Sequence, residues 1–274
     1  MSELNDLNLS ELAASVVPIV QRAGEAVMAV YERGKQGNEH VGMQTKSDDS
    51  PVTEADLAAN RLLVAGLSAL TPDIAVVSEE EQSSHVKRRP TGLFWLLDPV
   101  DGTREFLSRT DEFTVNVALI ADSVSVLGVV QAPALDQMYW GGQGVSAQRA
   151  DSSGTHSIQT APYPARNAQG QFVTPLRIMA SRSHMNSATQ QHISAMQPHT
   201  IVGVGSSLKF CRIAEGAADY YPRLGPTSEW DTAAAQAVIE AAGGQVLTLA
   251  GEPLRYGKDD VLNPHFEVTA AGPD

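Results

Sequence analysis

The sequence predicts a layered α/β protein made of two closely packed lobes. Three observations carry that expectation. Strand-like runs between residues 93 and 142 are split by turn signals, as in an antiparallel meander. Strands and helices alternate after about residue 176. The character of the chain changes near residues 133–150, so an N-terminal α+β lobe is expected over 1–135 and a C-terminal α/β lobe over 136–274.

The elements follow in order. Leu12, Val16, Ile19, Val20, Ala23, Val27 and Val30 recur at helical spacing, predicting an amphipathic helix from Leu9 to Arg33 with a kink at Pro18. Residues 35–51 are polar and read as a loop. Thr53 and Asp56 have capping-box spacing and open a second helix to Leu70. "IAVVSEEE" is a buried strand ending at Ser78, and "LFWLL" is a second one; both stop at acid. Between them, Gln82 to Pro90 reads as a charged linker, with Lys87, Arg88 and Arg89 as a solvated loop. "FTVNVALIA", "VSVLGVVQAP" and "DQMYWGG" complete the meander, and 148–175 is a loop or an inserted hairpin. "RIMAS", "TIVGVG", "ADYYPR" and "QVLTL" read as strands. "SLKFCRIAEGAA" and "EWDTAAAQAVIEAAGG" read as helices, the latter stopped by glycine.

Bulk properties exclude several classes. The 274 residues suit one large domain or two packed lobes. A net charge of -13 does not invite a nucleic-acid polymer or an anionic membrane. It also opposes an anionic substrate, so local cations would have to reverse the field at any such site. One cysteine, Cys211, allows no intrachain disulfide and suits a reducing, cytoplasmic setting. No apolar run reads as a membrane span, and the acidic N-terminus does not read as a signal peptide. The seven histidines form no metal-binding spacing.

The acidic residues carry the chemistry. Glu79 stands at one strand end and Asp98 and Asp101 at the other, where ligand sites in α/β sheets tend to lie. Asp98-Pro99-Val100-Asp101-Gly102 reads as a tight turn aiming two carboxylates and the Val100 carbonyl at one point, a donor set that suits Mg²⁺. Each piece alone has a plainer reading: turn residues, a solvated acidic run, a helix cap at Asp56. Asp231 falls in the first turn of an alanine-rich helix, where a carboxylate is favoured in any case. Ala233, Ala234 and Ala235 make that helix slim, so another element or a ligand can approach closely.

Four segments taken together, "SPVTEAD", "VVSEEE", "WLLDPVDGTREF" and "EWDTAAAQAVIEAAGG", resemble the lithium-sensitive, Mg²⁺-dependent phosphomonoesterases of the inositol monophosphatase superfamily. Within it, "GVGSSLKFCRIAEGAADYYPRLGPTSEWDTAA" and the Arg104-Glu105 pair are more similar to the bisphosphate nucleotidase branch than to the inositol phosphatases. The resemblance implies an αβαβα sandwich with the active site between the lobes. It implies that Glu79, Asp98 and the Val100 carbonyl hold one Mg²⁺ and that Asp98, Asp101 and Asp231 hold a second. Thr103 would position the attacking water with Glu79, and Asp56 would serve the water system or a third Mg²⁺. The amides of Gly102 and Thr103 would cradle the phosphate, and Lys46 would reach it from the polar loop.

Lys209 and Arg223, with Ser206 beside them and Arg212 in the same segment, would form a second anion site. For Lys209 and Arg212 the plainer reading is a solvated cation. The substrate implied is a small nucleotide, adenosine 3',5'-bisphosphate, with 3'-phosphoadenylylsulfate as a second. Attack would be direct, and Cys211 reads as core. Rival readings are a phosphatase for inositol phosphate, histidinol phosphate or a sugar bisphosphate, and a catalytically silent sensor. Lys209 and "YYPR" discriminate the first, and the complete acid set argues against the second. A monomer is expected; the acidic pI gives no support to peripheral association with the inner membrane.

Overall fold

A computed structural model describes residues 4, 7–35, 44–45, 51–180 and 186–271. Helix α1 (Leu9–Lys35) runs through Pro18 without interruption. Its apolar side is buried, from Leu12 through Val16, Val20 and Val27 to Tyr31, while Gln21, Arg22, Glu25 and Arg33 face outward. By length and composition this helix would pass as a membrane span, contrary to expectation. In the fold it is a core helix, packed on α2 (Glu54–Leu70) and the first sheet. The short strands β1 (Gln44–Thr45) and β2 (Pro51–Val52) pair before α2. The capping box of α2 forms as expected: the Thr53 hydroxyl accepts the Ala55 amide, and Asp56 accepts from the Thr53 amide at 2.8 Å.

The first sheet has seven strands in chain order: β3 (Ala75–Ser78), β4 (Leu93–Asp101), β5 (Thr114–Ala121), β6 (Val124–Ala132), β7 (Gln137–Gly142), β8 (Val145–Asp151) and β9 (Gly154–Ser157). Only β3 and β4 are parallel; the rest is the expected meander, lengthened by the β8–β9 hairpin. The lobe boundary expected after residue 135 therefore falls inside this sheet. The sheet ends at Ser157, because the polar hairpin completes its ladder rather than forming a loop.

The second sheet has the order β11-β10-β12-β14-β13, from β10 (Leu176–Ala180), β11 (His199–Gly203), β12 (Tyr220–Arg223), β13 (Gln245–Thr248) and β14 (Phe266–Thr269). The first three are mutually parallel and β14 is antiparallel to its neighbours. Helix α4 (Ser187–Ser194) crosses between β10 and β11, and neither it nor β14 has a clear sequence period. Helices α5 (Leu208–Ala214) and α6 (Ala233–Ala241) fill the space between the sheets. They share one apolar cluster with Phe94 and Leu96 of β4 and Val268 of β14. The other face of the first sheet packs on α1 and α2. The result is helix, sheet, helix, sheet, with α4 beyond.

Candidate active site

The end of β4 is a bulged strand, not a tight turn. Asp98 lies opposite Asn116 and Asp101 opposite Thr114, and the register slips between the two aspartates. The slip lets both carboxylates leave the strand on the same side. Gly102 then takes φ +87°, a left-handed conformation that suits glycine, and starts α3 (Thr103–Leu107). A side chain there would meet the Glu112 carbonyl and the Ser206 Cβ at 3.3 Å.

Asp231 arrives from the other side. It ends a 3₁₀ turn, Glu229–Asp231, and α6 begins only at Ala233, so the first-turn placement is corrected. The reason is local: Ser228 caps the turn and its amide donates to Asp231 Oδ2 at 2.8 Å, fixing the carboxylate before the helix starts. The slim face behaves as expected of it. An added Cβ at Gly128 of β6 would lie 2.0 Å from the Ala234 carbonyl oxygen, so strand and helix touch backbone to backbone.

Asp98, Asp101 and Asp231 each offer a carboxylate oxygen within 4.8 Å of the others. Glu79, just past β3, is tied to the end of β4 by its amide, which donates to the Leu97 carbonyl at 3.1 Å. Burial, then the charges of Glu79, Asp101 and Asp231, hold the Asp98 pKa well above the carboxylate range. Asp231 is raised likewise by burial, then by Asp101 and Glu79. Asp101 is pushed up to about 6 by burial, with Lys209 and the Ser207 amide pulling the other way. Closely spaced, partly buried carboxylates that repel one another are what a divalent cation relieves, and all the donors are hard oxygens. The donor set therefore fits such an ion.

A cleft of about 580 Å³ opens over this cluster. Glu79, Asp101, Gly102, Thr103 and Asp231 line it on the acid side, and Ser206, Lys209 and Arg223 on the other. Val100 and Asp98 sit buried behind it. The Val100 carbonyl accepts the Thr103 hydroxyl at 3.3 Å, which leaves its second lone pair. Lys209 is not a solvated cation. It is 4% exposed, its Nζ donating to the carbonyls of Ser206 (2.7 Å) and Val204 (3.2 Å) and lying 5.2 Å from the Tyr221 ring centre. Burial lowers its pKa to about 8, with Asp101 opposing. Ser206 holds a left-handed φ of +48°. Arg223 reaches the Pro226 carbonyl at 2.8 Å.

Two expected residues stand elsewhere. Arg212 is taken up by Glu215 (2.7 Å), Gln137 and the Tyr139 hydroxyl, beside the first sheet and away from the cleft. Asp56 is buried in its capping box and does not line the cleft; the Thr53 hydroxyl also donates to it, at 2.6 Å. Lys46 lies outside the described residues. Cys211 is fully buried, and burial pushes its thiol far up, so the core reading stands.

Sequence reasoning missed three groups. Ser207 donates its amide to Asp101 and its hydroxyl to Asn116 at 2.9 Å, joining the acid cluster to the start of α5. Phe210, Tyr221 and Phe266 form an aromatic wall of the cleft, with ring centres 5.7–6.1 Å apart; the "YYPR" segment was the only pointer. Arg88 is not in a solvated loop: its side chain is 7% exposed and pairs with the fully buried Glu229 at 3.2 Å.

The sequence profile described as the inositol monophosphatase family matches residues 8–272, and the chain belongs to that family. It is 42% identical to the 3'(2'),5'-bisphosphate nucleotidase CysQ of Salmonella typhimurium, covering 93% of this chain and 98% of the relative. The Escherichia coli K12 CysQ is 41% identical with the same coverage. Among solved structures, CysQ from Bacteroides thetaiotaomicron superposes with a TM-score of 0.80 at 33% identity, over 98% of this chain and 100% of that one. An IMPase of Thermotoga maritima, at 22% identity and TM-score 0.72 over 94% and 91% of the two chains, shares the fold.

Proposed function

We propose that this chain is a Mg²⁺-dependent 3'(2'),5'-bisphosphate nucleotidase that removes the 3'-phosphate of adenosine 3',5'-bisphosphate to give AMP and phosphate. One observation carries the reading: a single cleft has a half-buried carboxylate cluster on one side and the buried Lys209 on the other. The first side suits cations over the scissile phosphate. The second suits another anion, despite the chain's net charge of -13. The resemblance to CysQ nucleotidases over nearly the full chain supports the same substrate class.

Glu79, Asp98, Asp101, Asp231 and the Val100 carbonyl are the residues that would hold two Mg²⁺. Bound there, the ions would supply a water of lowered pKa and offset charge on the phosphoryl group and the leaving oxygen. Thr103 and Glu79 are the residues that would orient such a water. Asp56 holds Thr53 at the start of α2 and does not line the cleft, so any part it has in the water system or at a third ion is indirect. The Gly102 and Thr103 amides face the transferred phosphate at the start of α3. Lys209, Ser206 and Arg223 receive the second phosphate. The same constellation would accept 3'-phosphoadenylylsulfate. The enzyme is read as a cytoplasmic monomer acting on a small molecule.

The test is product analysis. Incubation with adenosine 3',5'-bisphosphate and Mg²⁺ is expected to give AMP and equimolar phosphate, abolished by EDTA. Release of adenosine 3'-phosphate instead, or no release, would contradict the reading.

A further inference from the structure

We infer that Arg88 and Glu229 form a clasp that sets where Asp231 meets the Glu79 end of the acid cluster, making them positioning residues for cation binding; this rests on the cation-dependent reading above. Glu229 is fully buried and lies two residues before Asp231 in the same 3₁₀ turn. Its carboxylate accepts from Arg88 Nη1 (3.2 Å), the Gly257 amide (2.9 Å), the Lys258 amide (3.0 Å) and Lys258 Nζ (2.5 Å). The turn cannot rotate without breaking a set of charge-assisted bonds in a site closed to water.

The other half of the clasp is anchored to Ser78, the residue before Glu79. The 3₁₀ helix Gln82–Lys87 folds back onto the end of β3: the Ser84 hydroxyl accepts the Ser78 amide at 3.0 Å, and His85 Nε2 meets the Ser78 carbonyl at 2.9 Å. The His85 ring lies 5.0 Å from the Trp230 ring, and Arg88 follows directly. Arg88 also donates to the Lys258 carbonyl at 3.0 Å. The segment that begins at Glu79 thus grips the turn that carries Asp231. Neither Arg88 nor Glu229 lines the cleft, so any effect on the cluster passes through that turn.

The experiment measures Mn²⁺ binding by calorimetry and apo melting temperature in EDTA for the parent, R88M, E229Q and the double variant. R177M is the control, because the Arg177–Asp219 pair is likewise anchored by a buried aspartate but stands away from the cleft. E229Q keeps a carbonyl oxygen for one of the two amides, which use different carboxylate oxygens, and carries the test if R88M folds poorly. Each single change is expected to raise the Mn²⁺ dissociation constant roughly tenfold, as loss of partners that orient metal ligands commonly does. The double variant should be no worse than the larger single, since both act through one turn. R177M should lower the melting temperature and leave Mn²⁺ binding alone. Unchanged Mn²⁺ binding in folded E229Q, or an equal shift in R177M, would overturn the clasp. A parent that binds no Mn²⁺ would overturn the cation reading itself, and the clasp with it.

Discussion

Asp98 is 1% exposed and shares its surroundings with three other acids, so its own titration reports on the cluster. The folded-state pKa values of Asp98 and Asp231 are raised well above 3.8, and that of Asp101 to about 6. Each holds its proton more tightly folded than unfolded. Their stabilising contribution is full below the ordinary carboxylate pKa and is lost as pH rises through the raised values. In EDTA, the melting temperature of the parent relative to D98N is therefore expected to fall as pH rises above about 4. Saturating Mg²⁺ at pH 7 should restore it. A pH-independent difference between the two proteins would contradict this.

Lys209 makes the complementary prediction. K209M should raise KM for the nucleotide roughly 10- to 100-fold, the size of a lost charge-assisted hydrogen bond, with a smaller change in kcat. Because burial brings the Lys209 pKa to about 8, the parent's KM should climb as pH rises through that value, and K209M should lose the climb. A fall in kcat alone would place Lys209 outside the second anion site. The acids were legible in the sequence because their spacing is fixed by short motifs. The burial of Lys209 was not, since lysine carries no apolar signal and its partners are the carbonyls of Val204 and Ser206 in a bend that only the fold creates.

At the scale of elements, the sequence located nine of the fourteen described strands by period and turn residues, yet misread how two of the segments carrying acids end. Asp98 to Asp101 was read as a turn because of Pro99 and Gly102, but pairing with β5 continues past the proline through a bulge. "QSSHVKRRP" was read as a charged linker, with Lys87, Arg88 and Arg89 solvated, because it is polar. Its serine and histidine bond back to Ser78 and its Arg88 enters a buried ion pair, contacts made by tertiary structure alone. The alanine run gave the right hint: it marks where α6 presses on β6. Gly128→Ala would push a methyl into the Ala234 carbonyl, with backbone on both sides. It is expected to cost about 1–3 kcal/mol or more in denaturant unfolding, the range of core overpacking. An unchanged midpoint would mean that the two elements can separate freely.

On the scale of the whole molecule, residues distant in sequence share one cleft because the two sheets meet through α5 and α6. Glu79, Asp98 and Asp101 come from the first sheet, Lys209 from α5 and Asp231 from the turn before α6. A layered α/β protein was legible from the alternation of periods; the order of the layers came only with the resemblance. The lobe boundary was not, because the polar β8–β9 hairpin joins the first sheet by backbone pairing that leaves little trace in the side chains. A strongly acidic protein that handles a phosphorylated substrate needs cations beside it, and in this cleft Lys209 and Arg223 stand with the acids that would hold divalent ions.

The central claim is the identity of that substrate. The most direct measurement is Mg²⁺-dependent phosphate release, comparing kcat/KM for adenosine 3',5'-bisphosphate and inositol 1-phosphate on the same preparation. A clear preference for the nucleotide, lost in K209M, is the result expected. A preference for inositol 1-phosphate would keep the carboxylate site but contradict the nucleotidase account.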